Sequence, residues 1–234
     1  MLMGAGTMHH RTHGGRLTII YIQDCMLVMR RTAEDAAQTR RAIIRAALRE
    51  FSSSGWAGGS LVAVSRRAGL TRGAVYHHFE NKEAVLRAVL VEEWPLQMTP
   101  LLDALGDDSL PPSDRLLGFL SSYLRMLTES ELFRDLAVVS TVVAPQALEL
   151  ATGVAEKRQA LGAWSDRLIP LLTACGPLRE EMTIPEAVFV IFTFVHGLTL
   201  AAAVEPALLP KGAGVEAMSR AIIYGLLPTR TASL

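Results

Sequence analysis

An all-α fold is predicted, an amino-terminal three-helix helix–turn–helix domain followed by a larger helical domain. Three observations carry that expectation. Residues 60–82, SLVAVSRRAGLTRGAVYHHFENK, read as two short helices and the start of a third, with capping residues and a glycine turn at the right places. From about residue 96 onward the apolar spacing is helical throughout, with no strand-like alternation. The charge is also segregated: residues 29–90 hold eleven Lys/Arg against five Asp/Glu, a net +6, while residues 91–234 carry −7 and residues 1–28 carry +1. A basic module beside an acidic remainder fits nucleic-acid binding by one part of the chain only.

Residues 1–28 mix MHHRTHGG with a short apolar run, LTIIYI, which Gln23 and Asp24 interrupt. The run is too short for a signal peptide and lacks a small-residue cleavage site. His9, His10 and His13 are metal-ligand types, but a disordered extension or overlong start is the expectation here. Residues 33–54 form an amphipathic helix: Thr32 with Asp35 makes a capping-box-like start, Ile43, Ile44, Ala47, Leu48 and Phe51 the apolar stripe, and Gly55 the stop. Arg40, Arg41, Arg45 and Arg49 face outward.

In the central stretch, Ser60 caps a helix whose inner face is Leu61, Val64 and Ala68, and Gly69 supplies the turn. Thr71 caps a second helix that buries Val75 and Phe79 and leaves Arg72, Gly73, Ala74, Tyr76, His77 and His78 outside. Gly73 and Ala74 allow close approach to base edges. Arg72 matches guanine with a paired hydrogen bond, and Tyr76, His77 and the hydroxyls of Ser60 and Thr71 suit phosphate oxygens. Lys82, at the next helix start, is assigned to a phosphate. Surface aromatics on a small helical domain are the bland alternative for Tyr76, His77 and His78.

These residues carry a resemblance. TRRAIIRAALREF, GW and GLTRGAVYHHFENKEAVL, densely over residues 39–86, resemble the DNA-binding domain of the TetR family of repressors. MRRTAEDAAQTR at 29–40 is similar to the openings of its multidrug-efflux subgroup. Two positions depart: Gly59 stands where the family often has Thr or Ser, and Ala63 where it often has an acid, which removes a capping-box partner for Ser60. The resemblance implies a cytoplasmic homodimer joined through its last two helices, with two recognition helices in successive major grooves of a near-palindromic double-stranded DNA operator. It further implies a small apolar or aromatic inducer and control of an efflux or detoxification operon. A constitutive DNA-binding dimer or an activator is the alternative. The expected domains are 1–28, an extension; 29–90, DNA-binding; and 91–234, ligand-binding and dimerisation.

Beyond residue 96, helices are expected near 113–129, 131–143, 146–175, 184–205 and 214–227, with Pro95 bending the connecting helix, Pro170 kinking its own, and Thr183 with Glu186 forming a capping box. Residues 187–204, AVFVIFTFVHGLTLAAAV, are long enough to raise a membrane span. Flanking Glu186 and Glu205, with no basic cluster, favour a helix buried between a core and a partner subunit instead. Tyr123, Met126, Phe133, Trp164, Phe189, Phe192 and His196 are the candidate ligand-cavity residues, although aromatics and Met at helical spacing also read as ordinary core. The two cysteines, Cys25 and Cys175, show no CxxC or metal-ligand spacing. No nucleophile elbow, phosphate-binding glycine loop or HExxH motif occurs, so no catalytic residue, metal or cofactor is assigned.

Overall fold

A computed structural model describes residues 14–147, 150–179 and 182–227, and among these every regular element is a helix. The chain divides into two compact units, Met1–Ala42 and Ile43–Leu234. Helix α1 runs Gly14–Gly58. The expected boundary at Thr32 is therefore absent, and the segment expected to be disordered is helical from Gly14. No Gly or Pro lies between Arg16 and Ser54, so nothing interrupts helix propagation there. His9, His10 and His13 fall outside the described residues. The regular geometry fails at Gly55, whose φ of 66° lies in the left-handed region.

Three short helices follow: α2 Leu61–Ala68, α3 Arg72–His78 and α4 Lys82–Ala88. Helix α4 continues through a π turn, Val89–Glu93, into α5, Trp94–Asp103. Next come α6, Pro112–Glu129, and α7, Glu131–Val138, which passes through a second π turn, Val139–Val143, into α8, Ala144–Ala147. Helices α9, Leu150–Ala174, α10, Ile184–Val204, and α11, Ala213–Leu226, complete the set. Helix α9 continues through Pro170 as one element.

The bend expected at Pro95 takes the form of the first π turn. The N–H of Trp94 reaches back five residues to the carbonyl of Val89, and the next residue is Pro95. The second turn repeats this: Ala144 donates to Val139 and Pro145 follows. In a regular helix each proline ring would collide with the carbonyl four residues earlier, and the widened turn makes room.

Two hydrophobic cores lie in the second unit. One gathers Ile43, Ile44, Leu48 and Phe51 of α1 with Leu61, Val64, Val75, Phe79, Val85, Leu86 and Val89. It is completed from far along the chain by Leu136, Val139, Val143 and Ala144, so its packing does not stop at residue 90. The other core joins α5, α6, α7, α9, α10 and α11 around Phe119, Leu120, Tyr123, Phe133, Leu168, Ile191 and Ile223. Each such large side chain, fully buried, contributes about 1.5–3 kcal/mol. Arg125 and Ser121 both donate to Glu216, fastening α6 to α11. Helix α10 starts with the expected capping box, Thr183 with Glu186, and those hydrogen bonds hold the Glu186 carboxyl below its ordinary range. It is long and apolar enough to cross a membrane, yet one face is core: Ala187, Val188, Ile191, Val195, Leu198 and Ala202 are buried.

Candidate functional site

The helix–turn–helix is fixed by one side-chain cap per helix. Ser60 Oγ accepts from Ala63 N–H at 3.2 Å, Thr71 Oγ1 from Ala74 N–H at 3.2 Å, and Asn81 Oδ1 from Ala84 N–H at 2.8 Å. Ser60 thus keeps its half of the cap although Ala63 supplies no acid. Gly69, with φ 66°, closes α2 by donating back to Arg66 and Ser65 carbonyls. Arg67 Nε donates to the buried Glu50 carboxylate at 2.8 Å and ties α2 to α1.

The predicted recognition face is outside. Thr71, Arg72, Gly73, Tyr76 and His77 are exposed, Ala74 and His78 half-buried, while Val75 and Phe79 are in the core. The His77 and His78 rings meet edge to face at 5.4 Å. A hydroxyl that accepts from a backbone N–H keeps its own hydrogen to donate, so capping and phosphate contact are compatible at Ser60 and Thr71. This surface offers small residues, a cation and aromatic donors at the start of a short helix, which suits base edges and phosphates in a major groove.

Lys82 is placed differently from its sequence assignment. Its ammonium donates to the Trp56 carbonyl at 2.6 Å and the Gly59 carbonyl at 3.1 Å, and lies 3.9 Å from the centre of the Trp56 ring. It satisfies carbonyls at the end of α1, where a cation is favoured by the helix dipole. Gly59 is also explained: a Cβ there would sit 2.8 Å from the Phe51 ring and 3.1 Å from the Gly55 carbonyl. The departure at 59 leaves room for Phe51.

Between the later helices lies a cavity of about 40 Å³, lined by Trp94, Tyr123, Thr141, Leu161, Trp164, Val195, His196 and Thr199. Of the candidate ligand residues, Tyr123, Trp164 and His196 line it. Phe133 is fully buried behind Tyr123, with ring centres 5.1 Å apart, and Phe192 sits 5.9 Å from Trp164. Met126 is half-buried against the core. Phe189 is 69% exposed, so it is not a cavity residue. Its position puts it on the outer face of α10, together with Leu200 and Val204, opposite the buried one. Trp94, Thr141, Leu161, Val195 and Thr199 were not anticipated; only Trp94, as an aromatic beside Pro95, left any signal.

The lining is apolar and aromatic, with one buried polar cluster. Thr199 donates to the Val195 carbonyl at 3.0 Å, leaving its oxygen to accept from Tyr123 OH at 3.1 Å. Burial pushes the Tyr123 hydroxyl up to about 12, with the Thr199 bond opposing weakly. His196 Nδ1–H donates to the Phe192 carbonyl at 2.8 Å. Among the described residues, no Asp, Glu, Lys or Arg side chain lines the cavity. No cluster of metal-ligating residues is found among the described residues.

Comparison with known proteins matches residues 43–89 to the family described as bacterial regulatory proteins, tetR family. The transcriptional regulator SrpR of Pseudomonas putida is 47% identical over 70 residues, 30% of this chain and 33% of that one. The chain thus aligns with about a third of SrpR's length, and with 52% of TtgW, a regulator from the same species. Over most of the chain the likeness is structural. NalD, the secondary repressor of the MexAB-OprM multidrug efflux pump in Pseudomonas aeruginosa, superposes with a TM-score of 0.62 at 25% identity, covering 84% of this chain and 99% of NalD. The complex of SmeT with triclosan superposes with a TM-score of 0.59 at 29% identity, covering 79% and 90%.

Proposed function

Because the chain carries the DNA-binding domain of the tetR family of bacterial regulatory proteins, we propose that it is a ligand-responsive transcriptional repressor that binds a near-palindromic operator as a homodimer. The observation that carries this reading is the exposed start of α3: Arg72, Gly73 and Tyr76 stand outward on a helix whose cap and inner face are fully committed. Arg72 reads guanine; Ser60, Thr71, Tyr76 and His77 hold phosphates; Gly73 and Ala74 admit the backbone to the groove. Residues 29–90 act as the DNA-binding region, residues 91–234 bind ligand and dimerise, and the protein works in the cytoplasm.

Dimerisation is assigned to α10 and α11. Phe189 at 69%, Leu200 at 51%, Val204 at 82% and Tyr224 at 47% exposure form apolar surface on these two helices. The exposed Gly197 lies in the same stripe, so a partner helix can approach closely. The inducer is a small, uncharged, aromatic molecule, in keeping with the aromatic side chains, Trp94, Tyr123 and Trp164, that line the cavity. Likeness to repressors of efflux pumps supports control of an efflux or detoxification operon.

One observation favours the alternative of a constitutive dimer or an activator. At about 40 Å³ the cavity is far below the roughly 300–1,000 Å³ of a drug-sized site, so its walls have to part before such an inducer enters. Mapping the binding sites of the protein on its own genome yields the operator. Calorimetry of an aromatic compound with and without that operator then decides between the readings. A true inducer binds more weakly when the operator is present, by the factor with which it weakens DNA binding. Equal affinities would leave a constitutive dimer.

A further inference from the structure

The hydrogens on one side of the cavity are ordered. Thr199 lies inside α10, and its hydroxyl donates to the Val195 carbonyl one turn back at 3.0 Å. That bond spends its single hydrogen. The 3.1 Å contact between Thr199 and Tyr123 therefore runs one way, from the Tyr123 hydroxyl to the Thr199 oxygen. Tyr123 has then spent its own hydrogen, and both residues stand in the cavity wall. To anything that enters beside them, the Tyr123 oxygen can only accept.

The surroundings hold this polarity in place. Tyr123 is 2% exposed, and its ring meets those of Phe133 and Trp164 edge to face, at 5.1 and 6.1 Å between centres, which fixes its orientation. Burial also pushes its hydroxyl up to about 12, so it stays protonated and neutral. Elsewhere on the described lining, Trp94, Thr141 and Trp164 carry hydrogens of their own, so an acceptor on a ligand has other partners. Beside Tyr123 it has none. A ligand oxygen without a hydrogen would there set lone pair against lone pair, in a buried place where an unmatched polar atom is costly.

We propose that Tyr123, oriented by Thr199, is the hydrogen-bond acceptor of the cavity, and that the ligand it selects is an aromatic molecule carrying an O–H or N–H donor, such as a phenol, an aniline or an indole. This rests on the ligand-responsive reading above, in that the cavity receives a ligand at all. Thr199 is a positioning residue: it touches the ligand's partner and sets which way that partner's hydrogen points.

The test is calorimetry of the full-length chain with two probes, phenol, which donates, and anisole, which only accepts. Leu161→Ala, which shortens an apolar wall, gives a roomier background in which to repeat it if the wild-type cavity binds both too weakly to titrate. Thr199→Val removes the acceptor of the Tyr123 hydrogen and turns that hydroxyl into a donor. The ratio of phenol to anisole affinity should then fall about two- to twelvefold, the worth of one neutral hydrogen bond. The different hydration of the two probes cancels in this comparison. Thr199→Ser keeps the acceptor and should keep the ratio. Tyr123→Phe should also lower the ratio, and it replaces Thr199→Val if that variant does not fold. An unchanged ratio in folded Thr199→Val would overturn the inference, and so would a Thr199→Ser variant that loses as much as Thr199→Val, which would mark a packing effect. If neither probe binds in either background, the inference falls together with the ligand-responsive reading. Probes that bind with the expected preference and leave operator affinity untouched would support the inference and overturn the ligand-responsive reading alone.

Discussion

The two functional regions of this molecule differ in where their working residues stand. In the helix–turn–helix, residues 60–82, the short helices α2 and α3 are each started by the side chain of the residue before them, and the side chains proposed to meet DNA point outward from that frame. Around the cavity the helices are long, their caps are distant, and the residues proposed to meet a ligand are buried among neighbours of the same chemistry. Tyr123 is 2% exposed and makes edge-to-face contacts with both Phe133 and Trp164. The helices of the first region are started by caps acting three residues away, although its core also draws on Leu136, Val139 and Val143; the second region is held by helices meeting across as many as 95 residues of chain, as at Ser121 and Glu216. A recognition surface can be built from local rules; a cavity is defined only by what the packing leaves unfilled.

The sharpest way to break this comparison is to ask whether the regions unfold separately. Phe51 is fully buried in a core that also contains Leu136, Val139 and Val143. Phe51→Ala should cost about 3–5 kcal/mol and should lower one cooperative denaturation transition seen by both intrinsic fluorescence and circular dichroism. A variant in which two transitions separate would mean that the module stands apart from α7.

At the recognition face two substitutions should act in different currencies. Arg72 is exposed, so Arg72→Ala should leave stability within about 0.5 kcal/mol while lowering discrimination between operator and random DNA by about 1–3 kcal/mol. Titrations against both DNAs measure this; an unchanged ratio removes Arg72 from base readout. Lys82→Ala, by contrast, should lower stability by about 1–3 kcal/mol, since the part-buried Trp56 and Gly59 carbonyls lose their donor. If Lys82→Ala instead flattens the salt dependence of DNA binding at unchanged stability, its ammonium turns outward on DNA.

In the cavity, Tyr123→Phe should cost about 0.5–1.5 kcal/mol, the net value of one hydrogen bond. The loss should stay near the lower end, because Thr199 keeps its bond to the Val195 carbonyl. Thermal denaturation compared with wild type checks the value.

These sites also mark what was legible in the chain. Ser60, Gly69, Thr71 and the Thr183–Glu186 box were readable because a cap and its partner lie within three or four residues, and the later helices fell where periodicity put them. Trp94, Thr141, Leu161, Val195 and Thr199 were not, because nothing local distinguishes a cavity wall from a core contact. Phe189 was misplaced for the same reason: α10 is apolar nearly all round, so its pattern cannot say which side meets the core. The contacts of Lys82 were not legible because helix-start logic considers the N–H groups beside it, whereas its partners in the structure, the carbonyls of Trp56 and Gly59, are 26 and 23 residues earlier. The long α1 shows the converse error, a capping pair at Thr32 and Asp35 with no helix end to cap.

The smallest expected effect lies where the two regions touch, and its sign is its test. Asp135 of α7 accepts from Ser52 of α1, yet burial is the largest influence on it and raises its carboxyl above the ordinary value, with Ser52, Arg134 and Arg49 opposing and Glu131 assisting. A raised acid holds its proton longer folded than unfolded. Stability must then fall as pH rises from below the ordinary carboxylate range through the folded value, because the folded state binds more protons across that window. Asp135→Asn keeps an oxygen for Ser52 and removes the buried charge. At neutral pH the variant should be at least as stable as wild type by denaturant titration, and that advantage should shrink as pH is lowered through the folded value, where the wild-type carboxyl is itself neutral. A variant less stable at neutral pH and level at low pH would show the opposite: the charged carboxylate would then be a favourable tie between α1 and α7, and the cost of burying it outweighed by Ser52 and the two arginines.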